Sequence, residues 1–555
     1  MIQIELASFL REAIAAAQRA GELPAFDVPR FELERPARKE HGDWASGIAL
    51  AISRYAQRKP REIADVLVTH LPDHPHIAKV EVAGPGFINF TLSHHWLTEV
   101  VREVERADEA WGRSTAAEPE RTQVEFVSAN PTGPMHLGHG RWAAVGDTIA
   151  RLLEWTGHPV EREFYINDHG VQMRKFGESI AARYLQLLGR DAEIPEGGYQ
   201  GEYITEIAKE IILEIGEQLL DAPDDERIEF MRVEGQRRML LHQRQTLERF
   251  GVVFDVWFSE RSLHETGAVA RVVEMLTDLG HTYEQDGAVW LRTTDFGDDK
   301  DRVIVRSTDG MPAYLAADLA YFLDKIRRRF ERIVYLIGSD HHGWVREITA
   351  GIRALGEDPE HCQFLVGQWV HAMRDGKPVS LSKRKGESIT FDELLDEVGV
   401  DAARYHYLRT GLDQVLNLDL DAVVAQSQEN PVYYVQYAHA RICSIQRKAH
   451  EQGIAIAPLE SVMLEELQDE SELDLLRKIA ELPEAVEVAA NLRTPHRITR
   501  YAEELASLFH AFYRDCRVVS EDPVLTQARL RLCHATQIAL RNALGLLGVS
   551  APEQM

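Results

Sequence analysis

The stretch Ser128-Ala129-Asn130-Pro131-Thr132-Gly133-Pro134-Met135-His136-Leu137-Gly138-His139 constrains this chain more than any other. It follows an apolar run, residues 124–127, that reads as a buried strand. It opens into residues 143–155, which read as a helix ending at Gly157. A strand, a glycine-containing turn and a helix start make an anion site, because the first N–H groups of a helix have no partner within it. His136 and His139, three residues apart, share one helical face and can reach one phosphate group. Gly138 between them removes a side chain where a flat adenine ring could approach the backbone.

The remainder of the chain is too long for one core: 555 residues predict three or four domains. The four cysteines, Cys362, Cys443, Cys516 and Cys533, are scattered without a C-x-x-C pair, so neither a disulfide framework nor a four-cysteine metal site is expected, and a reducing compartment fits. The first twenty residues alternate charge with apolar spacing and read as an amphipathic helix, not a secretory signal. No apolar run is long enough to span a membrane. A net charge of −27 suppresses non-specific binding of polyanions, leaving such contacts to local basic patches, as at Arg327-Arg328-Arg329 and Lys383-Arg384-Lys385.

Residues 1–112 mix helical patterns with strand-like segments on either side of Gly84-Pro85-Gly86, and residues 112–122 read as a linker. Residues 120–400 alternate strand-like and helix-like segments, the pattern of a doubly wound α/β fold, with a charged, mostly helical insertion at about 180–290. The run Arg332-Ile333-Val334-Tyr335-Leu336-Ile337 looks like a central parallel strand, and the loop after it carries Ser339, Asp340, His341 and His342. Ligands of such sheets bind beyond the carboxyl ends of the strands. From about 405 to 555 the pattern is all-helical, with Ile498, Tyr501, Leu505, Leu508 and Phe512 on one face.

A second segment, Val379-Ser380-Leu381-Ser382-Lys383-Arg384-Lys385-Gly386, is a polar loop with a dense positive centre. Alone it reads as a solvated turn. A lysine on such a loop can close over a nucleotide and neutralise charge developing on a leaving pyrophosphate.

The two segments in this order resemble the paired motifs of class I aminoacyl-tRNA synthetases, His-Ile-Gly-His and Lys-Met-Ser-Lys. Leu137 stands at the second position of the first motif; Ser380 and Leu381 replace the first lysine and the methionine of the second. The flanking Ser-Ala-Asn-Pro-Thr-Gly is similar to the arginyl-tRNA synthetase version. So are Val124 to Asn130, Tyr314-x-x-x-Asp318, Asp255-Val256-Trp257-Phe258-Ser259-Glu260 and Tyr165-Ile166-Asn167-Asp168, the last followed by His169 where the family has alanine. The segment Asn430-Pro431-Val432-Tyr433-Tyr434-Val435-Gln436-Tyr437-Ala438-His439-Ala440-Arg441 resembles the start of the family's helical anticodon-binding domain.

The resemblance implies a multidomain α/β protein. It would have an α+β N-terminal tRNA-contacting domain at 1–112, a Rossmann-like catalytic domain at 120–400, and an all-α anticodon-binding bundle at 405–555. It implies ligation of L-arginine to tRNA(Arg) with ATP and Mg²⁺, in the cytoplasm, by a monomer with no membrane partner and no resident metal. Catalysis would rest on His136, His139 and Lys383. Gly133, Gly138, Ser382 and Arg384 would join them around ATP. Glu125 and Asn130 would take the α-amino end of arginine, and Tyr314, Asp318 and Glu260 the guanidinium end, with His341 nearby. Planar guanidinium recognition calls for carboxylates in bidentate geometry, and Glu125 is a charged residue inside an apolar strand. Taken singly, each of these acids also reads as a satisfied, partly buried polar group. A cysteine-specific enzyme should carry zinc, a glutamate-specific one a cationic pocket, and a small-molecule nucleotidyltransferase would lack the long helical region. A non-enzymatic tRNA-binding relative would be expected to have lost one of His136, Gly138, His139 or Lys383.

Overall fold

The computed structural model describes residues 2–36, 38–308, 310–339, 342–374, 376–379 and 389–555. The chain packs as two compact units, one of residues 1–111, 442–481 and 507–539, the other of residues 112–441, 482–506 and 540–555. The helical region after residue 430 therefore contributes to both.

In the first unit the helix Ile2–Arg19 buries Ile2, Leu6, Leu10, Ala13, Ile14 and Ala17, the three-and-four spacing of one apolar face. That face joins the core of a four-stranded antiparallel sheet ordered Leu33–Glu34, Trp44–Ser46, Phe87–Leu92, Ile77–Ala83. The last two strands form the hairpin expected around Gly84-Pro85-Gly86, where Gly84 has φ +51° and Gly86 φ +140°. Later helices of the chain belong to the same unit. Arg477 Nε reaches Asp43 Oδ1 at 2.9 Å, and Arg531 Nη1 reaches Glu105 Oε2 at 2.6 Å.

The second unit is built on a five-stranded parallel sheet ordered Cys362–Gly367, Arg332–Gly338, Thr122–Glu125, Val160–Ile166, Val256–Ser259. The run Arg332–Gly338 is a central strand as its sequence predicts, with Val334 facing Gln363 on one side and Val124 on the other. From Thr122–Glu125 the chain winds outward through Val160–Ile166 to Val256–Ser259, then returns to the other side at Arg332–Gly338. The winding reverses between Thr122–Glu125 and Arg332–Gly338, and a crevice at their carboxyl ends is where such sheets hold ligands.

Three elements differ from the sequence reading. The strand beginning at Thr122 stops at Glu125. Val127 and Ser128 adopt φ +68° and +41°, and Ser128 N–H bonds Phe126 C=O at 2.9 Å. Positive φ in a β-branched residue is strained backbone held by its surroundings. Second, the helices Glu202–Ile215 and Asp224–Arg249 are followed by Val256–Ser259, a strand of the main sheet, so the sheet resumes inside the stretch read as insertion. Beyond it, Thr282–Gln285, Ala288–Leu291 and Arg302–Val305 form a small antiparallel sheet. Third, Leu416–Asp419 lies within the region read as all-helical yet pairs in parallel with Val370–Arg374, its alternate residues buried. The helices predicted after it do form: His496–Asp515 buries Ile498, Tyr501, Leu505 and Phe512.

Helix Leu137–Trp155 is fixed beneath the site by a buried ion pair, Arg404 Nη2 to Asp147 Oδ2 at 2.5 Å. Arg404 also donates to Leu547 C=O at 2.9 Å and Phe250 C=O at 3.0 Å. None of the helices among the described residues is long and apolar enough to cross a membrane.

Candidate active site

At the reversal of the sheet lies a cavity of about 1160 Å³. The Val127–Ser128 turn carries the chain out of the sheet, so that Glu125, Ser128 and Asn130 all line this space. Ser128 Oγ bonds Glu125 Oε1 at 3.3 Å and accepts Tyr165 N–H at 3.2 Å, tying two neighbouring strands together at their ends. Two helices of the inserted region hold the loop that follows. Gln243 Nε2 donates to Asn130 C=O and Gly133 C=O, both at 3.0 Å, and the Tyr203 hydroxyl donates to Thr132 C=O at 2.8 Å.

The histidine pair caps the helix Leu137–Trp155. His136 Nδ1 accepts Gly138 N–H at 3.1 Å, and His139 Nδ1 accepts His136 N–H at 3.1 Å. The rings stack 3.8 Å apart at 23°. A neutral imidazole whose Nδ1 accepts a hydrogen bond carries its proton on Nε2. Burial lowers the pKa of His136, and burial together with the charge of His136 lowers that of His139 to about 3. At neutral pH the pair is therefore two uncharged Nε2–H donors. Gly138 has a reason the sequence did not show: a Cβ there would lie 2.9 Å from Cε1 of the capping His136 ring.

At another part of the same cavity, carboxylates gather among aromatic rings. Helix Tyr314–Arg327 places an exposed Tyr314 at its first position and a half-buried Asp318 one turn later, as the spacing predicts. Asp318 Oδ2 accepts the Trp344 indole N–H at 2.7 Å. Burial pushes the Asp318 carboxyl up to about 7, with the charges of Glu125 and Glu347 adding to it. Burial, reinforced by the charge of Asp318, likewise lifts Glu260 to about 7. Glu125 thus belongs to the electrostatic neighbourhood of Asp318, whereas the resemblance set it at the opposite end of the substrate. Glu260 and Gly133 are not among the lining residues; Glu260 hydrogen-bonds the Tyr165 hydroxyl, and the Tyr165 ring lines the cavity. The exposed Asn130 lines the cavity with its Nδ2 3.2 Å from Gln172 Oε1.

Lys325 is the charged residue that sequence reasoning missed. It is fully buried, with Nζ 2.5 Å from Glu125 Oε2. The signal was its place on the Asp318 helix, seven residues on and therefore on the same face.

His341, Ser382, Lys383 and Arg384 lie outside the described residues. On either side of the 380–388 segment, Pro378, Val379 and Ile389 line the cavity. Phe391 N–H bonds Met135 C=O at 2.8 Å, immediately before the histidine pair.

The chain matches three families in succession. These are the arginyl tRNA synthetase N terminal domain over residues 5–92, the class I tRNA synthetase (R) catalytic domain over 105–443, and the DALR anticodon binding domain over 435–555. It is 48% identical to the arginine–tRNA ligase of Moorella thermoacetica over 99% of this chain and 98% of that one. It is also 48% identical to the arginine–tRNA ligase of Frankia alni over the full length of both. The arginyl-tRNA synthetase structure from Thermus thermophilus shares its fold, with a TM-score of 0.75, 23% identity and complete coverage of both chains. A doubly wound sheet with a capping histidine pair at its reversal, an α+β domain before it and a helical anticodon-binding domain after it agree with these full-length matches: the chain belongs to the class I arginyl-tRNA synthetases, the ATP-dependent arginine–tRNA ligases.

Proposed function

We propose that the single cavity holds both small substrates, with ATP phosphates at the His136–His139 pair and the arginine guanidinium at Asp318 and Glu125. The observation that carries this reading is that His136 and His139, each with Nδ1 accepting a backbone N–H, and the carboxylates of Glu125 and Asp318 line one continuous space. Neutral donors suit a phosphate chain whose charge shifts during the reaction, because they bond the oxygens without holding the product as a counter-ion would.

In this reading the carboxylate of arginine attacks the α-phosphorus of ATP in line. The bond from that phosphorus to the bridging oxygen breaks, and pyrophosphate leaves with the electron pair. His136 and His139 donate to phosphate oxygens. Gly138 keeps room for the capping ring and Gly133 holds the preceding loop. Lys383, with Ser382 and Arg384, closes over the departing pyrophosphate; the lining positions of Val379 and Ile389 at the two ends of that segment support the assignment. The terminal 2′-hydroxyl of tRNA(Arg) then attacks the carbonyl of the adenylate, and AMP leaves. The lining carboxylates among the described residues, Glu125 and Asp318, are engaged at the guanidinium end, so Mg²⁺ is read as arriving on the ATP phosphates.

Asp318 supplies the ionic contact to the guanidinium, and Glu125, already paired with Lys325, lies beside it. Tyr314 closes the same end from the start of its helix. Asn130 serves the α-amino end, with Glu260 acting through Tyr165 and His341 assigned nearby. Residues 1–112, 120–400 and 405–555 act respectively as tRNA-contacting, catalytic and anticodon-binding domains of a cytoplasmic monomer. The test is amino-acid-dependent ATP–pyrophosphate exchange, with and without tRNA, offering arginine, lysine, glutamate, glutamine and cysteine in parallel. Exchange with arginine alone is expected; exchange with another amino acid, or with none in a folded preparation, would contradict the reading.

A further inference from the structure

The loop that leads into the histidine pair is held from outside the sheet, by the helix Asp224–Arg249. Gln243 on that helix is completely buried, and its amide nitrogen donates to both Asn130 C=O and Gly133 C=O. Its Oε1 is buried as well and finds no partner among the described residues. A buried acceptor left without a donor costs free energy. A hydrocarbon side chain would escape that cost but leave the loop without its bridge. The amide is therefore kept for its N–H groups, which join carbonyls three residues apart and fix the turn that delivers His136. Tyr203, on the helix Glu202–Ile215, takes a carbonyl between them: its hydroxyl donates to Thr132 C=O at 2.8 Å.

The same face of the helix Asp224–Arg249 continues onto a second part of the site. Thr246, three residues after Gln243 and likewise buried, donates its hydroxyl to Asp392 Oδ2 at 2.8 Å. Asp392 is the second residue of the helix Phe391–Val398. The start of that helix is joined to the histidine segment: Thr390 bridges to His136, Phe391 N–H bonds Met135 C=O, and the Phe391 ring fills the space that a Cβ at Gly140 would need. One helix face thus seats both the loop before His136 and the helix that packs against the pair.

We propose that Gln243 is a positioning residue for arginine activation. Through the carbonyls of Asn130 and Gly133 it sets where His136 and His139 present their Nε2–H groups. Tyr203 is its second support on the loop, and Thr246 holds the neighbouring helix in register with it. None of the three is among the lining residues of the cavity, so each acts through the backbone it holds. The inference rests on the reading that the histidine pair meets the ATP phosphates. Donors that strengthen their contacts in the transition state lose rate when displaced, more than they lose binding.

Gln243→Met keeps the length of the side chain and removes its donors. It is compared with Gln245→Met, on the exposed side of the same helix, in ATP–pyrophosphate exchange with arginine and tRNA present. Gln243→Met should lower kcat roughly tenfold or more, with the KM values for arginine and ATP within about threefold, and Gln245→Met should leave kcat unchanged. Tyr203→Phe deletes one hydrogen bond and should lower kcat severalfold; it decides the matter if Gln243→Met does not fold. A merely structural role for Gln243 would lower the unfolding midpoint and leave kcat per folded molecule intact, and that outcome overturns the proposal. So would a rise in both KM values at unchanged kcat, or an equal loss with Gln245→Met. Loss of kcat with His139→Ala but not with Gln243→Met overturns this proposal alone. No loss with either overturns the reading of the histidine pair along with it.

Discussion

Lys325 Nζ stands 2.5 Å from Glu125 Oε2, fully buried, and 4.1 Å from the ring centroids of both Tyr321 and Tyr335. The pair neutralises one acid of the carboxylate cluster, so that in the proposed arginine site Asp318 is the acid left to meet the guanidinium. Removing one partner of a buried pair leaves a charge stranded, at a cost of about 3 kcal/mol or more. Lys325→Met should therefore lower the unfolding midpoint clearly. Adding Glu125→Gln should recover part of the loss, because the stranded carboxylate is gone. Equal destabilisation by the single and double variants would show that the pair is not the source of the effect.

Protonation of the cluster should be visible in solution. Asp318 and Glu260 sit near pKa 7 in the folded protein, against ordinary values of about 4 in the unfolded chain. Between about pH 4 and pH 7 the folded state then binds more protons than the unfolded one, so stability falls as pH rises through that window. A guanidinium against Asp318 favours the carboxylate, so arginine binding releases a proton. The KM for arginine should fall as pH rises from 6 to 8, by up to about tenfold per unit below pH 7. A flat KM over this range would refute the coupling.

The histidine pair behaves in the opposite way. Burial lowers the pKa of His136, and burial with the neighbouring His136 charge takes His139 to about 3, so neither ring titrates near neutrality. With arginine saturating, kcat for exchange should show no histidine-like inflection between pH 6.5 and 8. His139→Ala removes one preorganised donor and should reduce kcat on the order of 10²-fold. tRNA affinity, measured by filter binding, should change much less.

Much of this architecture was legible in the sequence where the signal was local. The strand–turn–helix around His136 and His139, the Tyr314–Asp318 helical turn and the central strand Arg332–Gly338 all follow from periodicity and turn residues. What was not legible depends on distant partners. The apolar run through Val127 outlasts the strand because Val127 leaves extended geometry and lines the cavity, which periodicity does not report. Val256–Ser259 is four residues long, and only its pairing with Val160–Ile166 makes it part of the main sheet. Lys325 reads as the solvated face of an amphipathic helix until Glu125, 200 residues earlier, is brought against it.

The support beneath the histidine helix gives a stability prediction independent of substrates. Arg404 is buried against Asp147 and donates to two backbone carbonyls. Arg404→Met should destabilise the protein by on the order of 3 kcal/mol, since it strands Asp147 and orphans both carbonyls. The unfolding midpoint in urea checks it, and a shift equivalent to less than about 1 kcal/mol would mean that water replaces the guanidinium there.

Steady-state exchange kinetics of Asp318→Asn test most directly the proposal that Asp318 is the acid that recognises the guanidinium. Loss of a charge-assisted contact in a buried site predicts an arginine KM raised on the order of 10²-fold, with the KM for ATP within about twofold of the unsubstituted protein. An unchanged arginine KM, or an equal rise in both constants, would contradict it.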